Sequence, residues 1–170
     1  IMAERERINT ELALASRIQE NMLPRIFPPY PDRKEFDIYA SMKPAKEVGG
    51  DFYDFFFVDE NHLALVIADV SGKGIPAALF MMMVKIMIRN CALAGLGPKT
   101  AMEQVNRQIF ESNSESMFVT VWLGVLDLET GRLTAVNAGH DYPFLKGPNA
   151  DYELYRDRHC MAVGMMENVP

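Results

Sequence analysis

Two aspartates on either side of a hairpin are the residues of this sequence best placed to do chemistry. Asp51–Val58 (DFYDFFFV) and His62–Asp69 (HLALVIAD) are rich in strand-forming residues, and Asp59-Glu60-Asn61 between them has turn chemistry. With a loop over 59–61, Val58 faces His62 and Asp51 faces Asp69. Facing residues have Cβ atoms about 4.5–5.5 Å apart, and like charges placed so are destabilising. Relief comes from one protonated carboxyl or from a cation between the two. Oxygen ligands of this kind suit Mg²⁺ or Mn²⁺. Gly49-Gly50 and Gly72 flank the pair and let backbone approach an ion. A slip of one residue would put the aspartates on opposite faces. They would then be plain strand-end residues, with Asp69 capping the turn into the following helix.

Ala68-Asp69-Val70-Ser71-Gly72-Lys73-Gly74 also has a rival reading. Gly72-x-Gly74-x-x-Ala77 follows a strand and opens a helix, as a dinucleotide fingerprint does. The acidic residue expected about twenty positions on is missing, since the next is Glu103, and the helix leads into another helix. A Walker A loop fails too, with Ile67 in place of its first glycine and Ile75 in place of its Ser/Thr.

The elements that must position the pair follow from periodicity. Residues 3–23 read as a helix with Ile8, Leu12, Ala15 and Met22 on one stripe, ended by Pro24. The stripe suits a core face or a short coiled-coil seam; a seam would make the chain a homodimer. Four prolines make 24–32 an extended connector. Phe36, Ile38, Ala40 and Met42 alternate with polar residues, which predicts a half-buried strand. Pro76 suits the first turn of a helix running to about Ala94, stopped by Gly95 and Gly97-Pro98. Thr100-x-x-Glu103 reads as the capping box of a second helix, with Ala101, Val105 and Ile109 on its inner face. Met117–Leu126, Arg132–Ala138, Pro143–Lys146 and Tyr152–Tyr155 read as further strands. Strands, then two adjacent helices, then strands is an α+β order.

Composition sets outer bounds. At 170 residues, 49% of them apolar and 24% charged, the chain has room for one domain plus an appendage. Acidic residues outnumber basic ones 23 to 17, the wrong sign for a general nucleic-acid binder. Cys91 and Cys160 lack a metal or redox motif and read as reduced thiols of a cytoplasmic protein. No signal peptide is visible, and the apolar run 75–88 is interrupted by Lys85, which argues against a membrane span. Both ends read as cut from a longer pattern.

Several runs together carry a family likeness. They are Glu11-Leu12-Ala13 through Ile18-Gln19 to Leu23-Pro24, Val48-Gly49-Gly50-Asp51-Phe52-Tyr53-Asp54, and Ala68-Asp69-Val70-Ser71-Gly72-Lys73-Gly74-Ile75-Pro76-Ala77-Ala78. Phe118-Val119-Thr120 and Asn137-Ala138-Gly139-His140 complete the set. In this order they resemble the PPM superfamily of metal-dependent serine/threonine protein phosphatases, in its bacterial SpoIIE/RsbU-like branch. The resemblance implies an α-β-β-α sandwich, two packed antiparallel sheets flanked by antiparallel helices. Residues 1–24 would be a linker helix and 25–170 the phosphatase domain, incomplete at its C-terminus. It implies two Mn²⁺ or Mg²⁺ ions that activate water for attack on a phosphoserine or phosphothreonine. Asp69 would be the bridging carboxylate, Val70 a carbonyl ligand, and Asp51 a ligand of the second ion directly or through waters. The implied partners are a phosphorylated protein, as a rule an anti-sigma-factor antagonist, and an upstream sensor domain, with no nucleic acid or membrane.

The resemblance also implies two later metal aspartates, in an Asp-Gly turn and a closing Asp-Asp segment, and neither motif occurs. Weak or single metal occupancy and little activity are therefore expected of this stretch, or a non-catalytic module that binds a phosphoprotein or dimerises through its N-terminal helix. Asp54 alternates onto the face opposite Asp51 and reads as structural. His140 reads as a turn histidine bonded to backbone, Trp122 as core, and the Met81–Met83 run as core before partner surface.

Overall fold

The hairpin turn forms as its residues dictate. Asp59 Oδ1 accepts the Asn61 and His62 backbone N–H groups, each at 2.9 Å, and Val58 N–H donates to His62 O at 2.8 Å. This closes β1 (Phe52–Phe57) onto β2 (His62–Val70), with Phe52 opposite Ala68 and Phe57 opposite Leu63. The computed structural model of the protein describes residues 2–44 and 46–168. One helix, α1 (Met2–Met22), precedes the hairpin, and two, α2 (Ile75–Leu93) and α3 (Pro98–Ser112), come after it. Then come β3 (Val119–Asp127), β4 (Leu133–Ala138), β5 (Phe144–Lys146) and β6 (Tyr152–Leu154). The first four strands make one antiparallel sheet in the order β1-β2-β3-β4, and β5-β6 make a second, two-stranded one.

This is the α+β class expected, antiparallel sheets with flanking helices. Alternation sends Phe52 and Phe56, Ala64, Val66, Ala68 and Val70, and Val119, Val121 and Leu123 to one face of the main sheet. There they meet Ala77, Met81, Val84 and Ile88 of α2 and Ala101, Met102, Val105 and Ile109 of α3. Each large side chain so buried contributes about 1.5–3 kcal/mol. By length and composition alone α2 is apolar enough to cross a membrane, and half of that window is buried in this core.

Asp54 lies on the same helix-facing side, fully enclosed. Its Oδ2 accepts Lys85 Nζ at 2.7 Å and Arg89 Nη1 at 2.9 Å, and its Oδ1 accepts the Phe55 N–H at 3.0 Å. Lys85 and Arg89 are four apart and so share one face of α2. The Arg89 guanidinium also lies 4.3 Å over the Phe56 ring. Asp54 is therefore structural, and it ties β1 to α2.

Four expectations change. Phe36–Met42 alternates in exposure as read but pairs with no strand. Its Phe36 and the connector's aromatics instead cover the outer face of β1: Tyr30 packs on Phe57 at 4.7 Å, Phe27 on Phe55 at 5.8 Å, and Phe36 on Phe57 at 6.2 Å. The capping box does not form, because Gly97-Pro98 starts α3 earlier and Thr100 falls inside its first turn. Trp122 is half-buried on the outer face, its ring against Gly124, since Val121 and Leu123 take the core side. Of the methionine run, Met81 is core while Met82 and Met83 are only partly buried. Replacing Asp54 by Ala leaves Lys85 charged and enclosed without a partner. Urea unfolding should show a loss of about 3–5 kcal/mol, largely recovered in Asp54→Leu combined with Lys85→Met.

Candidate metal centre

The observed register carries Asp51 and Asp69 to the open end of the hairpin, one pair beyond Phe52 and Ala68. Both are exposed at one end of the sheet, and their carboxyl groups are within hydrogen-bonding reach of each other. Partial burial, the contact with Asp69 and its charge push the Asp51 carboxyl up to about 6, against a smaller opposing pull from His140. Two carboxylates held so must share a proton or a cation.

The backbone around them is close-fitting. A Cβ on Gly50 would lie 2.9 Å from Val70 Cβ, 3.1 Å from the Val70 carbonyl oxygen and 3.1 Å from Ala77 Cβ. Any side chain there would force β1 away from Val70, so glycine is what lets the Asp51 backbone approach the Val70 carbonyl. Next to it, Ser71 N–H donates to Phe118 O at 2.8 Å and the Ser71 hydroxyl accepts Phe118 N–H at 3.0 Å. These bonds pin the Val70–Ser71 turn to the start of β3. Gly72 and Gly74 have φ of 83° and 78°, the left-handed conformation that the turn into α2 requires.

Two further anchors come from distant parts of the chain. Gln19 is the one buried residue of α1; its amide donates to Gly49 O at 2.6 Å and accepts Gly49 N–H at 3.0 Å. The last turns of α1 thereby hold the segment leading into Asp51. Asp69 pairs with Thr120 across β2 and β3. The Thr120 hydroxyl is hydrogen-bonded to His140 Nδ1 at 2.8 Å and lies 3.4 Å from the Asp69 carbonyl. Asn137 Oδ1 accepts the His140 N–H at 2.8 Å. Burial holds the imidazole below its ordinary pKa, partly offset by Asp141 and Asp51, so the ring is neutral near pH 7. His140 is thus bonded through its ring to a side chain at the site, where a turn histidine bonded to backbone was expected.

The structure therefore brings together Asp51, Asp69 and the Val70 carbonyl and keeps Asp54 on the other face. Thr120, His140 and Gln19 complete the surroundings and were not assigned to the site from sequence. The signal for Thr120 lay in the β2–β3 pairing, and that for Gln19 in a polar residue on an otherwise apolar stripe. Among the described residues no group of three or more His, Cys, Asp or Glu is gathered. The donors present are all oxygen, which fits a hard divalent cation with remaining positions filled by water.

The sequence profile of the family described as Stage II sporulation protein E (SpoIIE) matches residues 59–170. The chain belongs to the SpoIIE family. Phosphoserine phosphatase RsbU of Bacillus subtilis is 31% identical over 88% of this chain and 44% of its own length. The SiaA-PP2C domain of Pseudomonas aeruginosa superposes over the whole chain and 68% of its own, with a TM-score of 0.73 at 23% identity. The RsbU and RsbW domains of Rv1364c from Mycobacterium tuberculosis match at 27% identity and a TM-score of 0.65, covering 74% of this chain and 35% of that one. The chain spans less than half the length of the curated relatives it matches. These SpoIIE and PP2C likenesses agree with the antiparallel α+β fold described above.

The raised Asp51 carboxyl has a consequence for stability. A carboxyl with a folded pKa of about 6 against an ordinary 3.8 favours the fold when protonated, and that contribution is lost as pH rises through 6. Metal-free Asp51→Asn should therefore melt higher than the parent chain at pH 7.5, with the gap narrowing as pH falls below about 6. Added Mn²⁺ should raise the melting temperature of the parent and leave the variant almost unmoved. Differential scanning fluorimetry across pH reads both.

Proposed function

We propose that this chain carries part of the active site of a metal-dependent phosphoserine/phosphothreonine protein phosphatase of the SpoIIE type. The observation that carries the reading is the carboxylate pair Asp51–Asp69 at the open hairpin end, with the Val70 carbonyl beside it. Asp69 and Asp51 would hold Mn²⁺ or Mg²⁺, with Asp69 shared between ions where two bind. Bound metal would supply a water of lowered pKa and neutralise charge on the phosphoryl oxygens. The chain's own part is placement. Gly50 lets the Asp51 backbone close on Val70, Gln19 fixes Gly49, and Thr120 orients the His140 ring on the same side as Asp51. The neutral imidazole is a hydrogen-bonding group available to substrate or water beside the pair.

The substrate is a phosphorylated protein. The family likeness favours an anti-sigma-factor antagonist phosphorylated on serine, in a cytoplasmic signalling chain with an upstream sensor. A second reading is a non-catalytic phosphoprotein-binding module. It is favoured by the short donor set, two carboxylates and a carbonyl for cations that take about six ligands.

The two readings separate in the intact gene product. Mn²⁺-dependent hydrolysis of p-nitrophenyl phosphate should occur, and Asp69→Asn should lower kcat/KM by at least about 100-fold with the melting curve of the metal-free protein preserved. Phosphoprotein binding without turnover at any Mn²⁺ concentration selects the module. For the 170-residue chain itself, isothermal titration should show weak or single Mn²⁺ binding; two tight sites would contradict it.

A further inference from the structure

The Thr120–His140 contact stands on the same row of the sheet as the aspartate pair. Asp51 and Asp69 lie one step beyond the Phe52–Ala68 pair, Thr120 is opposite Asp69, and Gly139 follows Ala138, the partner of Val121. Helix-facing Phe52, Ala68 and Val121 alternate with this row, so its side chains leave the opposite face of the sheet. Gly139 then turns the chain back on itself. Its φ is 72°, and a Cβ there would lie 3.1 Å from the Ala162 backbone nitrogen. The buried Asn137 closes this turn by accepting the His140 N–H. The end of β4 thereby delivers the imidazole to Thr120 from 20 residues along the chain.

The bonds around Thr120 decide which ring nitrogen carries the proton. A hydroxyl has a single proton to give. The Asp69 carbonyl, 3.4 Å away, can only accept, so the Thr120 hydroxyl donates there. Its 2.8 Å contact with His140 Nδ1 must then run the other way, with Nδ1–H donating to Thr120 Oγ1. Nε2 is left with its lone pair. Among the described residues no enclosed side-chain nitrogen or oxygen lacks a partner, so Nε2, which has none, opens to solvent. The ring and the Asp51 carboxyl lie close enough to feel each other's charge, and burial keeps the imidazole unprotonated near pH 7.

We propose that Thr120 locks His140 in the Nδ1–H tautomer and that His140 Nε2 accepts the proton of the water that attacks the phosphate ester. This rests on the phosphatase reading above. In the step, the water oxygen bonds to phosphorus and its proton passes to Nε2. The bond from phosphorus to the ester oxygen breaks, and its electron pair goes to that oxygen, which takes a proton from solvent. The imidazolium then returns its own proton to solvent. His140 is the proton acceptor and Thr120 its positioning residue, the third group that orients a base in other hydrolytic sites. A positioned base contributes about 10²–10⁴-fold in rate. The lock matters because the other tautomer would turn an N–H toward the water and take no proton.

Long-range ¹H–¹⁵N correlation spectra of the imidazole rings in the metal-free chain test the lock. Near neutral pH, His140 should show a protonated Nδ1 and a bare Nε2. Thr120→Ser should keep this pattern and Thr120→Val should lose it. Turnover of p-nitrophenyl phosphate with Mn²⁺ in the intact gene product tests the proton step, because the leaving phenolate needs no proton. His140→Asn, which keeps an N–H for Thr120, should lower kcat about 100-fold, with KM, the metal-free melting curve and Mn²⁺ affinity unchanged. Thr120→Val should lower kcat about tenfold, and Thr120→Ser should stay within about threefold of the parent. A bare Nδ1 in the parent, or His140→Asn turnover within about threefold of it, overturns the inference and leaves the phosphatase reading standing. So does a loss of kcat seen only with a phosphoserine peptide, which would make His140 a donor to the leaving oxygen. A locked tautomer in a parent without Mn²⁺-dependent turnover overturns the phosphatase reading, and the proton step with it.

Discussion

The register of the β1–β2 hairpin is the constraint on which the rest of the structure depends. Alternation is two-fold, so one choice of pairing assigns every side chain of both strands to a face. Asp59 makes that choice by accepting the two N–H groups that close the turn. From there Phe52, Asp54 and Phe56 face the helices, Tyr53, Phe55 and Phe57 face the aromatic connector, and Asp51 arrives opposite Asp69. A slip of one residue would expose the core of β1 and part the two aspartates at once. Stability and site geometry are thus set by the same turn, and the hydrophobic burial that stabilises the fold also fixes the spacing of the carboxylates.

The two acidic positions of β1 meet opposite fates for electrostatic reasons. Asp54 is enclosed, and enclosure without compensation would be prohibitive, so the fold supplies two cations and a backbone donor. Asp51 is left beside another carboxylate with no cationic side chain assigned to it, and its affinity for a proton rises in consequence. The first arrangement is complete within the chain. The second is complete only with a proton or an ion from outside, and that incompleteness is what marks it as a candidate site. Gly50 and the pinned Val70–Ser71 turn add a backbone carbonyl at the same place, so the rigid sheet presents oxygen where positive charge is wanted.

Much of this was legible in the sequence where the determinants are local. The hairpin, its register and the α2 boundaries follow from Asp59-Glu60-Asn61, from strict alternation and from Pro76 with Gly95. The Phe36–Met42 strand was misread because alternation reports a two-sided environment, and here one side is the β1 aromatic surface without any hydrogen-bonded ladder. The Thr100 capping box was misread because a stronger local signal, Gly97-Pro98, starts the helix before it. Thr120, His140 and Gln19 were not placed at the site because each reaches its partner across 20 or more residues of chain. Only sheet pairing or helix docking brings them in, and neither is written in short-range spacing.

The same internal neutralisation shapes the outside of α2. A helix with Lys85 and Arg89 free would carry two solvated cations on its surface. Committing both to Asp54 secures the helix to β1, but leaves an outer face without charge. The N-terminus of α2 follows Val70 by five residues through a glycine turn, so whatever fixes this helix also fixes the frame in which the Val70 carbonyl is held. The buried ion cluster therefore locks α2 to the sheet that presents the aspartate pair, and through the glycine turn it steadies the frame of the Val70 carbonyl.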